Sequence, residues 1–136
     1  MFTKKEILQI GKKAYSDFSK RHKIDCKIKI VKPNKFWKIA NQSEIIRNKM
    51  NEGIPVEVGA VVLHSKIDTV YVSDLVINTI TEDKNFLRAI FMHEFYHVYF
   101  KKLLKNNDLK SSFASEKRAK LKLKKDFPKL GKYFIL

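Results

Sequence analysis

The five residues His93-Glu94-Phe95-Tyr96-His97 set two imidazoles four positions apart, with a carboxylate directly after the first. On a helix, positions i and i+4 lie one above the other, with Cβ atoms about 5–6 Å apart. Two ring nitrogens at that spacing can bind a single Zn²⁺, each at roughly 2.0–2.1 Å. Glu94 points about a quarter turn away from His93. From there it reaches a water on the metal rather than the metal, and can take a proton from that water as zinc polarises it. The spacing therefore reads as metal-assisted hydrolysis, with His93 and His97 as ligands and Glu94 as general base.

Zinc needs a third protein ligand, and no histidine or cysteine follows His97. The acids that do follow it are Asp108, Glu116 and Asp126. Asp108 is expected in a turn between helices, and Asp126 at a helix end just before Pro128. Glu116 falls in the first turns of the last helix and is the best placed of the three. The bland alternative is an ordinary acid at the positive end of a helix. His22 and His64, upstream, are the remaining histidines.

These residues need elements to carry them. Apolar residues cover most of the circumference of residues 81–105, including Phe86, Leu87, Ile90, Phe91, Met92, Phe95, Tyr96 and Val98. A helix apolar nearly all round is a central one. Thr81 is its expected N-cap, and Asn106 with Asn107 its expected stop. The last helix is expected to begin near Ser111 or Ser112 and to end before Pro128, because the residue preceding proline disfavours helix. Thr3 and Glu6 form a capping box ahead of an amphipathic helix over residues 3–21. Residues 24–30 alternate apolar and polar with period two, which is a half-buried strand ended at Pro33. Residues 36–51 suggest a helix interrupted near Ser43, and 52–55 a loop. Two β-rich runs, 56–64 and 69–73, form an expected hairpin joined by residues 65–68. Residues 74–80 are read only as a short connection.

The whole is 136 residues without repeats or low-complexity linkers, so residues 1–136 are taken as a single domain. One cysteine, Cys26, excludes an intrachain disulfide and reads as a small core residue. No apolar run approaches the roughly 18 residues of a membrane span. The charged start lacks the apolar stretch of a secretory signal, so a cytoplasmic location is expected. The net charge is +15, and residues 101–132 hold twelve cations against three acids. That clustering keeps a basic, non-catalytic partner of nucleic acid or anionic lipid as a second reading, although no nucleic-acid or phosphate-loop motif accompanies it.

HExxH on one helix followed by a glutamate on the next resembles the gluzincin zinc metallopeptidases. Upstream, Gly59-Ala-Val-Val-Leu63, Thr69-Val-Tyr-Val-Ser-Asp-Leu-Val76 and Leu87-Arg-Ala-Ile-Phe-Met-His93 are similar to the catalytic core of HtpX-type and CaaX-type membrane peptidases. The chain is most like the minigluzincins, short soluble relatives of that core, with the likeness covering about residues 56–123. The resemblance implies one zinc per chain held by His93, His97 and Glu116, with Glu94 as general base and acid. It implies an endopeptidase whose substrate is a peptide or unfolded protein. It implies an α+β, zincin-like fold: a small, mainly antiparallel three-stranded sheet on an active-site helix and a glutamate helix, with an N-terminal helix. The strand at Gly59, Ala60 and Val61 would be the edge to which an extended substrate adds through main-chain bonds. Residues beyond about 120 would cover the cleft in a latent form, within one chain or by exchange in a homodimer. One departure is Lys120 after Ala119, where relatives carry an acid or amide that supports a ligand histidine. Candidates to stabilise an oxyanion are Tyr133, Arg118 and His64. The regulatory IrrE/ImmA-type proteases, which cut one repressor, share the metal site and are the nearest alternative.

Overall fold

A computed structural model describes residues 1–41, 60–63, 66–104 and 113–134. The expected loop at 52–55, the hairpin's beginning before residue 60, Gly59, His64, and the stop at Asn106 and Asn107 lie outside the described residues, as do Ser111 and Ser112. The helices are α1 (Lys4–Ser19), α2 (Pro33–Ala40), α3 (Asp74–Ile80), α4 (Lys84–Leu104), α5 (Phe113–Asp126) and α6 (Pro128–Gly131). The strands are β1 (Lys27–Ile30), β2 (Ala60–Leu63) and β3 (Lys66–Val72).

This architecture corrects the expected fold. The molecule is mostly helical rather than built on a mainly antiparallel sheet. Strand order is β1-β3-β2, and β1 runs parallel to β3, with Lys27 opposite Thr69 and Ile30 opposite Val72. The physical reason is the connection. Parallel neighbours need a crossover, and α2 lies within the one that separates β1 from β3. Alternation within residues 24–30 marks a strand but carries nothing about its direction. β2 runs antiparallel to β3, pairing Ala60 with Val72 and Val61 with Tyr71. The joining segment expected at 65–68 is shorter, because Lys66, Ile67 and Asp68 already belong to β3.

The helix ends show why other boundaries moved. Thr3 and Glu6 make the reciprocal capping box ahead of α1. Thr81 caps the C-terminus of α3 instead of starting α4, and its hydroxyl accepts from the Asp83 amide at 2.9 Å. Asp83 starts α4: its carboxylate accepts from the amides of Asn85 and Phe86 at 2.8 and 3.4 Å. Pro33 opens α2, where its fixed φ and missing N–H cost nothing, so this helix begins earlier than residue 36. Pro128 likewise starts α6 after α5 has ended at Asp126.

Core packing places α4 at the centre. Ile7, Ala14 and Phe18 of α1, Val70 and Val72 of β3, and Leu123 of α5 join its buried Leu87, Phe91, Met92, Phe95 and Tyr96 in one cluster. The other face of the sheet is covered as well. Tyr71 packs there with Phe36, Ile39 and Ala40 of α2 and Val76 of α3. With both faces covered, β3 is buried throughout its described side chains, Thr69 to Val72. Gly11 permits the approach of α1 to this centre: a Cβ there would stand 2.6 Å from Ile28 and 2.9 Å from Phe91.

Candidate metal centre

His93, Glu94 and His97 occupy the middle of α4, where burial of the helix on nearly all sides withdraws them from water. The side chains of His93, Glu94 and His97 are 12 %, 12 % and 10 % exposed. The imidazole centroids are 4.7 Å apart. One donor atom from each of the three residues lies within 4.8 Å of the other two. That closeness follows from helical spacing alone, so it carries little by itself.

Glu116 adds what one helix cannot. It comes from α5, and its carboxylate spans both histidines: Oε2 is 3.2 Å from His93 Nε2 and Oε1 is 2.9 Å from His97 Nε2. Ligands at about 2.0–2.1 Å around a tetrahedral zinc stand roughly 3.3–3.5 Å from one another. The three side chains therefore already converge to nearly that spacing. His93 Nε2 is buried and makes no hydrogen bond of sound geometry. A buried ring nitrogen left so is costly unless something binds it. Two imidazoles and a carboxylate thus converge from two helices, as the ligands of a cation would. The set suits zinc.

Electrostatics separate the two carboxylates. Burial would raise Glu116, but the His93 and His97 imidazoles overcome it and hold the carboxyl well below the usual carboxylate range. Glu94 goes the other way: burial pushes it up to about 7, and neighbouring Glu116 adds to the rise while His97 and Lys101 oppose it. Their surroundings thus drive the two carboxyls in opposite directions. Lys101, 6 % exposed, lies one turn beyond His97 on the same helix, and sequence periodicity offered no sign of its burial.

The other expected residues separate. Ala60 and Val61 lie on β2, an edge strand, and among the described residues nothing pairs with its outer side. Tyr133 is not turned to the site through its hydroxyl, which donates to Asp83 at 2.9 Å. Arg118 stands over the Phe100 ring, 5.7 Å from its centroid. Asp126 is no ligand of this centre. Its Oδ2 accepts from the Tyr96 hydroxyl at 2.7 Å and lies 2.9 Å from His22 Nε2. Both acids of α5 thus face histidines, Glu116 at the site and Asp126 at the far end of the helix. A further contact went unforeseen as a specific residue: the Phe134 ring lies 5.0 Å from the His93 ring.

Among the described residues no helix is long and apolar enough to cross a membrane. No protein-family model, curated protein or solved structure matches the chain, so the functional case rests on the geometry above and on the motif.

Proposed function

We propose that this chain is a zinc-dependent endopeptidase of the gluzincin kind, acting on peptides or unfolded protein in the cytoplasm. The observation that carries the reading is Glu116: a carboxylate from a second helix spans both histidine nitrogens of the HExxH motif. His93, His97 and Glu116 would hold the metal. Zinc bound there would supply Lewis acidity toward a water molecule and the scissile carbonyl. Glu94 takes the proton from the attacking water and returns it to the leaving amine. Its setting beside the two histidines is largely closed to bulk water, which keeps the transferred proton at the site. The outer side of β2, at Ala60 and Val61, would receive an extended substrate as an added strand, with Gly59 as the further residue expected from the sequence.

The full-length chain is further proposed to be latent. The Phe134 ring lies tilted beside the His93 ring, and Tyr133 is fastened to Asp83 by its hydroxyl and to Phe86 by ring stacking at 5.1 Å. The same contacts would form within one chain or by exchange between two copies. They also narrow the blocking segment. Residues 121–126 complete α5, and Leu123 is wholly buried in the core, so the removable part begins beyond Lys132. A casein or quenched-peptide assay with zinc-loaded protein, full-length and ending at Lys132, tests the reading. Cleavage that Glu94→Gln abolishes supports it, and no cleavage by either zinc-loaded form contradicts it.

A further inference from the structure

Among the described residues, no acid pairs with the exposed lysines on the outer face of α5 and α6. Residues 113–134 contain two acids, Glu116 and Asp126, and both are turned to histidines. Asp126 also takes Lys122, at 3.5 Å. What remains toward solvent is Lys117, Leu121 and Lys125, one above another at i, i+4 and i+8, all exposed. Lys120 and Lys124, half-buried, flank them. Gly131 brings α6 down onto α5, since a Cβ there would lie 2.6 Å from the Lys124 Cα. The exposed Lys129 and Lys132 bracket that contact point and extend the same charge.

We propose that this face docks on an anionic lipid surface. Charge complementarity demands a polyanion, and two further features choose among polyanions. Leu121 is 47 % exposed at the centre of the lysine row, where a nucleic-acid backbone has no use for it and an acyl boundary does. The groups that would stack on or read bases are withheld. Arg118 and Arg21 lie over Phe100 and Phe127, while Tyr133 and Phe134 pack on Phe86 and His93. Lysine stems can lie along the headgroup region with the ammonium groups among phosphates, while Leu121 enters the boundary. Lys117, Leu121, Lys125, Lys129 and Lys132, the residues that would meet the lipid, are not among the proposed ligands, so the docking can be tested apart from the peptidase reading.

The test is co-sedimentation of the full chain with vesicles of phosphatidylcholine alone and with roughly one-third phosphatidylglycerol. Duplex DNA and RNA serve as competing ligands. The expected result is binding to the anionic vesicles only, weakened at least about tenfold by the double variant Lys117→Glu/Lys125→Glu and several-fold by Leu121→Ser. Both variants alter exposed positions, and circular dichroism verifies that they stay folded. Binding to duplexes but not to vesicles would overturn the proposal in favour of nucleic acid. Vesicle binding indifferent to both variants would overturn this face as the site, and binding to neither ligand would overturn the surface altogether.

Discussion

The aromatic ring of Phe134 stands 5.0 Å from the imidazole of His93, forty-one positions earlier in the chain and the first of the proposed metal ligands. Tyr133 and Phe134 thereby lie at the side of the candidate centre from which the proposed latency would act. Ending the chain at Lys132 removes the ring together with Tyr133 and spares Leu123, Asp126 and Leu130, which the core needs. Peptidase activity of the zinc-loaded truncated form is expected to exceed that of the full chain by about tenfold or more, as expected when an occupied site must open before binding. Equal activities at equal zinc content would remove the blocking role.

Glu94 is a carboxyl whose burial raises its affinity for protons in the folded state. An acid so raised binds more protons folded than unfolded between its ordinary value of about 4.3 and the folded value, so stability falls as pH climbs through that window. The metal-free Glu94→Gln protein should therefore be more stable than metal-free wild type at pH 8, by on the order of 1–3 kcal/mol. The two should converge near pH 4. Thermal melts in chelator across pH 4–8 measure this, and a variant no more stable at pH 8 would show that Glu94 is not held in a desolvated setting.

Asp126 ties three helices: α5 carries it, α4 offers the Tyr96 hydroxyl and α1 leads to His22. Burial would raise its carboxyl, but the His22 and Tyr96 hydrogen bonds and the Lys122 charge hold it below the ordinary value. For a lowered acid the sign reverses. Its stabilisation is complete above about pH 4 and is lost as pH falls through the folded value. Asp126→Asn should cost on the order of 1–3 kcal/mol at neutral pH, with the difference shrinking below pH 4. Denaturant titrations at pH 7 and 3 decide it, and a difference independent of pH would assign the loss to packing instead.

Gly131 packs against both the backbone and the base of the side chain of Lys124. A Cβ there would stand 2.6 Å from the Lys124 Cα, so Gly131→Ala must move α6 away from α5. Because α6 leads directly to Tyr133 and Phe134, the substitution is expected to loosen the Phe134–His93 contact and raise activity in the full-length chain. The gain should be absent in the form ending at Lys132. An equal gain in both forms would place the effect elsewhere.

How far these features could be read in advance depends on the range of the physics behind each. The pairing of Thr3 with Glu6 and the apolar circumference of α4 are local, and both were visible as spacing. The cap at Asp83 was missed because Thr81, an equally good capping residue two positions earlier, ends α3 instead. The direction of β1 depends on a crossover, which alternation within seven residues does not encode. Glu116 could be chosen as a candidate from the chemistry of the residues after His97, but its reach to both Nε2 atoms is set by how α5 crosses α4. Asp126 looked like a spare acid at a helix end. Its pairing with His22 joins residues 104 positions apart, and only the packed structure brings them together. Gly59 and the upstream half of the expected substrate strand lie outside the described residues.

The most direct measurement is the zinc content of untagged, purified wild-type protein beside its Glu116→Ala variant, with circular dichroism to verify that both are folded. Close to one zinc per chain is expected in the wild type. In the folded variant, zinc should be lost or held at least about tenfold more weakly. A wild type that takes up no zinc even when refolded with the metal would contradict the centre. A folded Glu116→Ala protein that holds zinc as tightly as the wild type would contradict the part given to Glu116.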